Sequence, residues 1–193
     1  MDIIYNYHIR VFTRSSVMDN ITLYIPKLTD YWYEEKLLTD PETMNYNAGY
    51  DVTYEGYHYD TGCIDYSKCK WLASFEKRQK ENIFYAYLKV DDTFVGYVNY
   101  HFNTSTNRYE CGIVIEATKR GMGYAKIGLR LLIDEAKSNG IESLYDSFEE
   151  DRGNTLSIFK SLGFEVVKEC TWKKFNEDVK GVIIKIVLDQ ASK

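Results

Sequence analysis

The chain has 193 residues, of which 45% are hydrophobic and 27% are charged, and its net charge at neutral pH is −5. This composition is typical of one folded globular domain, and an acidic balance without clustered Lys and Arg disfavours a nucleic-acid partner. Because no apolar run approaches the roughly 20 residues that a membrane span needs, we also expect no membrane partner.

The N-terminal part of the chain is predicted to form a short strand followed by two helices. Residues 20–26 alternate apolar and polar side chains, which is typical of a strand. Residues 27–38 carry apolar side chains at helical spacing, and the helix should close before Pro41 because the residue before a proline avoids helical geometry. Asp40 is the expected N-cap of the second helix, with Pro41 as its first residue.

Residues 46–66 are rich in tyrosine, contain three glycines and follow neither a helical nor a strand period. We predict a loop there. Aromatic walls can hold an ammonium group by cation–π contacts, so this loop is a candidate acceptor site, and a surface lid packed on a sheet is the alternative. Residues 67–81 then predict an amphipathic helix with Trp71, Leu72 and Phe75 on one side.

The pattern next changes from helices to strands. Residues 83–102 predict a hairpin that turns at a central Asp-Asp pair, and residues 108–117 predict a third strand. The centre of this strand is apolar without alternation, at Ile113, Val114 and Ile115, which indicates that both of its faces are covered.

The rest of the chain alternates helices and strands. The predicted elements are, in order, a helix over 124–140 ended by Gly140, a strand over 141–148, a helix over 154–164 capped by Asn154 and ended by Gly163, and strands over 164–175 and 179–189. This order predicts an α+β fold with a mixed sheet and one right-handed strand–helix–strand crossover over residues 110–148.

Residues 118–125 place Gly121 and Gly123 where the long helix should begin, although a better helix former would stabilise that turn by roughly 1 kcal/mol per glycine. The first turn of a helix has unpaired main-chain N–H groups and a partial positive charge, so it attracts phosphate. Small residues permit close approach, and Lys119 and Arg120 add charge, which together predict a polyphosphate site. The stretch lacks the Lys-Ser or Lys-Thr of a nucleotide-hydrolase P-loop and fits the dinucleotide fingerprint poorly.

Two motifs in this order resemble the GNAT superfamily of N-acetyltransferases. The family's [RQ]-x-x-G-x-[GA] segment, which follows an apolar strand, is filled here by Arg120, Gly123 and Ala125. The downstream N-x-x-[AS]-I … K-x-x-GF segment has matches at Asn154, Ser157, Ile158, Gly163 and Phe164. The resemblance extends over residues 83–188 and is weaker toward the N-terminus.

Membership implies a GNAT-like fold, in which a mixed, mainly antiparallel central sheet is flanked by helices and a splayed strand pair binds coenzyme A. We expect a single acetyltransferase domain over residues 1–193. Its N-terminal helices and acceptor-side loop would occupy residues 1–82, and its acetyl-CoA-binding core residues 83–188.

The resemblance also implies acetyl-CoA as cofactor. We expect no metal, because the four cysteines have no zinc-site spacing. The diphosphate would bind the main-chain N–H groups of one segment, namely Arg120, Gly121, Met122, Gly123, Tyr124 and Ala125. The pantetheine arm would pair like a strand beside Ile113, Val114 and Ile115, and the Asn154 side chain would contact the pantetheine or phosphate arm.

Transfer to an amine requires that an ammonium lose a proton before its nitrogen attacks a thioester. Glu110, one strand upstream of the glycine loop, is the first candidate for the base, and His101 and His58 are alternatives. Glu116 is expected to be solvated. Many family members have a tyrosine four residues before the Gly-Phe pair, where this chain has Phe159.

Phe159 cannot donate a proton to the leaving thiolate. The candidates for that acid are Tyr145 and Ser147 on the neighbouring strand, or solvent. Tyr145 could instead serve only the core.

We therefore expect an N-acetyltransferase that transfers an acetyl group directly from acetyl-CoA to a primary amine of a small molecule or peptide, as a monomer or homodimer. The alternative is a non-catalytic acyl-CoA-binding or sensing module. Four cysteines without metal-site spacing predict free thiols in a reducing compartment. Residues 1–12 are interrupted by polar side chains and do not predict a signal peptide, so we expect a cytoplasmic protein.

Overall fold

The computed structural model describes residues 20–188, which form a single seven-stranded sheet with helices on both faces. The strands are β1 (Ile21–Tyr24), β2 (Phe84–Val90), β3 (Thr93–Asn103), β4 (Arg108–Ile115), β5 (Ser143–Glu149), β6 (Glu165–Lys174) and β7 (Glu177–Val187). The α-helices are α1 (Trp32–Leu38), α2 (Pro41–Met44), α3 (Lys68–Lys80), α4 (Tyr124–Ser138) and α5 (Thr155–Lys160). The prediction for residues 1–12 lies outside the described residues.

The strand order is β1-β2-β3-β4-β5-β7-β6, and every neighbouring pair is antiparallel except β4 and β5. The β2–β3 hairpin turns where it was predicted to, with Asp91 in the left-handed region at φ 51°. A parallel pair needs a crossover, which α4 supplies between β4 and β5. The predicted mixed, mainly antiparallel α+β sheet is therefore confirmed.

Helix α4 covers one face of the sheet with the apolar stripe that its sequence predicts. Leu129, Leu132 and Ala136 are buried against the core strands. Gly128 permits an especially close approach, because a Cβ there would lie 2.5 Å from Cδ1 of Leu88 on β2. The position of α4 thus depends on a glycine in its middle as well as on its apolar stripe.

Alternate side chains of strand β2 belong to two different hydrophobic clusters, one on each face of the sheet. Ala86 and Leu88 face α4, whereas Tyr85 and Tyr87 face the opposite side and pack with Tyr33 of α1. The frequent tyrosines of the N-terminal half therefore build a second, aromatic core between the sheet and α1.

Strands β4 and β5 pair only at Glu110 and Tyr145. Beyond this bridge β4 continues to Ile115 while β5 diverges from it and pairs with β7 on its other side. The outer edge of β4 is consequently left without a strand partner, and a V-shaped gap opens between the two strands. This gap confirms the predicted splayed strand pair.

Two local predictions were wrong. Leu72 of α3 is exposed, because the face of that helix that packs on the rest of the molecule is formed by the partly buried Trp71, Phe75 and Arg78 at i, i+4 and i+7. Asn154 occupies the N-cap position of α5 but makes no capping hydrogen bond, since its own backbone has φ −85° and ψ 5° rather than extended geometry.

Asp40 does cap α2, as predicted, by accepting hydrogen bonds from the main-chain N–H groups of Glu42 and Thr43. Residues 46–66 are largely irregular, also as predicted. Over the described part of the chain, no helix is long and apolar enough to cross a membrane.

Candidate active site

A cavity of about 760 Å³ fills the gap between the splayed strands and extends to the beginning of α4. One wall is the apolar segment Ile113, Val114 and Ile115 of β4. The opposite wall is formed by β5 and by the turn that leads into α5. A strand edge, a helix N-terminus and a cavity therefore meet at one place.

The floor of the cavity at the α4 end is the glycine loop. Gly121 and Gly123 both adopt left-handed backbone conformations, with φ of 78° and 84°, which explains why the sequence has glycine at these positions. The first main-chain hydrogen bond of α4 runs from the Ile127 N–H to the Gly123 carbonyl.

Six consecutive main-chain N–H groups at the start of α4 have no hydrogen-bond acceptor within residues 20–188, those of Gly121, Met122, Gly123, Tyr124, Ala125 and Lys126. Lys119 and Lys126 line the same end of the cavity. Unpaired N–H groups at a helix N-terminus with cations beside them are suited to bind a phosphate or diphosphate.

Arg120 lines the cavity, but its hydrogen-bonding groups are directed to main-chain carbonyls. Its N–H donates to the Ala117 carbonyl and is not free for an anion. Its guanidinium donates to three main-chain carbonyls, those of Ile115 at 3.2 Å, Glu42 at 3.1 Å and Thr43 at 2.8 Å. The arginine therefore ties the end of β4 and the glycine loop to the end of α2.

Glu116, which was expected to be solvated, is buried at 6% exposure. It accepts hydrogen bonds from Lys36 Nζ at 2.8 Å and from the hydroxyls of Thr118 and Tyr33. Burial alone would raise the pKa of Glu116, but the bonds from Lys36 and Thr118 outweigh it and lower this pKa. Glu116 is thus a charged structural anchor between β4 and α1.

Glu110 lies at the β4–β5 bridge, outside the residues that line the cavity. Its carboxylate accepts hydrogen bonds from Asn103, Thr106 and Arg108 at 2.9 to 3.1 Å. Burial would raise the pKa of Glu110, but these bonds, led by that from Asn103, lower it. A carboxylate stabilised in its charged form is a weak proton acceptor.

Tyr145, the partner of Glu110 across the bridge, also lies outside the cavity lining. Arg108 and Lys185 sit over its ring at 4.9 and 5.4 Å from the centroid. Alternation along β5 places Tyr145 on the opposite face from Leu144, which is in the core under α4.

Asp146 is the carboxyl group that sequence reasoning missed. It lines the cavity, and it is the only Asp or Glu among the described residues that do so. Burial raises the pKa of Asp146 to about 7, although the hydrogen bond from the Ser147 N–H and the charge of Arg152 each lower this pKa. The sequence contained an indication of this role, because Asp146 is a charged residue at the core-facing position of β5 between Leu144 and Phe148.

A stacked pair borders the cavity on the side of α2. The Arg152 guanidinium lies 4.2 Å from the ring centroid of Tyr46, and no ion pair in the described part of the chain includes Arg152. Tyr46 is the one tyrosine of residues 46–66 that lines the cavity. Tyr50 instead bonds to Glu149 at 2.6 Å and so fixes the loop on β5.

The structure brings together most of the predicted cofactor residues. Those lining the cavity are Ile113, Val114, Ile115, Arg120, Gly121, Gly123, Tyr124, Ala125 and Asn154. Met122 does not line it, because its side chain points into solvent at 55% exposure. Phe159 lies in the cavity wall, and its ring is tilted against that of Phe148 with the two centroids 5.4 Å apart. His58 pairs with Asp65 at 2.8 Å and is likewise not a cavity residue.

Comparison with known proteins gives a consistent result. Residues 30–164 match the model of the acetyltransferase (GNAT) family. An N-acetyltransferase from Staphylococcus aureus Mu50 has a TM-score of 0.69 at 18% identity, covering 89% of this chain and 100% of its own. No curated protein matches by sequence.

Two further solved structures carry ligands. Spermidine N-acetyltransferase from Vibrio cholerae, in complex with CoA and spermine, has a TM-score of 0.71 at 14% identity, with 89% of this chain and 97% of that chain covered. A GNAT superfamily phosphinothricin acetyltransferase from Sinorhizobium meliloti, in complex with acetyl-CoA, has a TM-score of 0.68 at 14% identity, covering 90% and 91%. At these identities the likeness shows the fold.

Proposed function

Because the chain belongs to the GNAT acetyltransferase family, we propose that it transfers the acetyl group of acetyl-CoA directly to a primary amine of a small molecule or peptide. The observation that carries this proposal is the cavity between β4 and β5, which joins an unpaired strand edge to six unpaired N–H groups at the start of α4. Bound acetyl-CoA supplies an activated thioester carbon.

The half of the site that would hold acetyl-CoA is suited in shape and charge to the coenzyme A arm. The N–H groups from Gly121 to Ala125 would hold the diphosphate, with Lys119 and Lys126 compensating its charge. The unpaired edge of Ile113–Ile115 would hydrogen-bond the pantetheine amides as an added strand does. Asn154 would contact the same arm from the opposite wall.

The acceptor would enter on the side bordered by Asn45, Tyr46 and Arg152. Tyr46 and Arg152 both interact electrostatically with Asp146, the residue that follows the β4–β5 bridge, and the acyl end of the donor would lie beside that residue. We assign Glu110 and Tyr145, which form that bridge, to positioning the two strands rather than to proton transfer. We further propose a monomer or homodimer in the cytoplasm, where its four free cysteines would stay reduced, with no nucleic-acid or membrane partner.

The test is release of the CoA thiol from acetyl-CoA with a panel of polyamines, aminoglycosides, amino-acid derivatives and peptide N-termini. We expect release above the hydrolysis background with at least one amine, together with saturable acetyl-CoA binding by calorimetry. Binding without release for every amine would favour the non-catalytic acyl-CoA-binding alternative. Absence of binding would contradict the proposal.

A further inference from the structure

We propose that Asp146 is the general base that takes the proton from the acceptor amine. This inference rests on the proposed function and adds a catalytic residue to it. It follows from three observations. Asp146 lies in the gap, no other carboxyl group lines the cavity among the described residues, and particular charged and polar groups face it.

Asp146 is the first residue of β5 beyond the last bridge to β4, so it stands at the vertex where the gap begins. A donor with its diphosphate at Gly121–Ala125 and its arm along Ile115 to Ile113 runs from the α4 end toward this vertex. Its thioester therefore reaches the level of Asp146. Among the described lining residues no other carboxyl group is available there.

The groups that face Asp146 from neighbouring elements are Arg152 from the turn before α5, Tyr46 from the segment after α2, and Glu110 and Cys111 from β4. Burial raises the pKa of the Asp146 carboxyl and Arg152 lowers it, with the net result of about 7. Cys111 is buried, and burial raises its thiol pKa, so it stays protonated. A base with a pKa near the working pH combines a useful carboxylate fraction with adequate basicity.

The proton balance is simple. The Asp146 carboxylate takes one proton from the acceptor ammonium and leaves a nitrogen lone pair. The nitrogen–carbon bond forms, the carbon–sulfur bond breaks with its electron pair on sulfur, and the nitrogen gives its second proton to solvent. Solvent protonates the thiolate, and Asp146 returns its proton to solvent, so that the sum is an amide, a free thiol and one released proton.

The test compares wild type with Asp146→Asn in activity and in binding. We expect kcat/KM of the wild type to rise with pH along an ascending limb whose midpoint is near pH 7. In Asp146→Asn this limb should disappear and kcat should fall about a hundredfold. Calorimetric binding of acetyl-CoA should be unchanged. The matched control is Asp134→Asn, on the exposed side of α4, which should keep the limb, the rate and the binding.

A second readout does not depend on a variant or on turnover. Carbon-13 NMR of the wild-type protein labelled at aspartate Cγ should show one carboxyl that titrates near pH 7. Retained rate in Asp146→Asn, a retained limb despite a lost rate, or no aspartate titrating in this range would each overturn the assignment of Asp146. Failure of the wild type to bind acetyl-CoA would instead overturn the proposed function.

Discussion

Replacing Gly123 by Asp is expected to weaken acetyl-CoA binding about a thousandfold, because two N–H bonds to a charged diphosphate are lost at about 2 kcal/mol each. Gly123 has φ of 84°, and its neighbours present the unpaired N–H groups that start α4. An aspartate side chain there would both disfavour the loop conformation and place a negative charge beside the diphosphate. Isothermal calorimetry with acetyl-CoA measures the loss.

Gly140→Asp is the matched control. Gly140 ends the same helix, has φ of 74°, and has open space where its Cβ would be. The variant thus introduces the same charge and similar backbone strain at the opposite end of α4. We expect it to bind acetyl-CoA like the wild type. Equal loss in both variants would mean that general destabilisation of α4, and not the phosphate cradle, explains the effect.

Replacing Arg78 by Met is expected to lower the free energy of unfolding by about 3 to 5 kcal/mol, because it leaves a buried carboxylate without its partner. Arg78 of α3 donates to both carboxylate oxygens of Glu34 in α1, and Glu34 is 5% exposed. The guanidinium also stacks on Tyr85 at 3.7 Å from the ring centroid. Urea denaturation followed by circular dichroism measures the change.

The neighbouring Lys77→Met is the control for this loss. Lys77 is on the exposed side of the same helix and approaches Glu81 at 4.0 Å. An exposed pair of this kind contributes about 0 to 1 kcal/mol, so the variant should unfold close to the wild type. If Arg78→Met were no less stable than Lys77→Met, the Glu34–Arg78 pair would not be what joins α1 to α3.

The local features of the fold were predictable because they depend on neighbouring residues. The stop at Gly140, the cap at Asp40 and the glycines at the start of α4 each reflect backbone geometry within one turn. The splayed strands were predictable only through the resemblance to a family, since nothing within β4 or β5 alone specifies where their pairing ends.

The side-chain assignments that failed involve contacts between distant parts of the chain. Arg120 bonds to the carbonyls of Glu42 and Thr43, which are 78 and 77 residues away, whereas its charge and its place at the helix start predicted a phosphate ligand. Glu116 is buried and accepts a hydrogen bond from Lys36, 80 residues away. Asp146 was identifiable in principle as a polar residue on a core-facing position, but its role requires the gap beside it.

We propose that main-chain N–H groups at the start of α4 hold the diphosphate of acetyl-CoA. Amide proton and nitrogen chemical shifts recorded during a titration with CoA test it directly. We predict the largest shifts at Gly121, Gly123 and Ala125, and a small shift at Arg120, whose N–H already bonds to Ala117. Unchanged signals from Gly121 to Ala125 in the presence of saturating CoA would contradict the account.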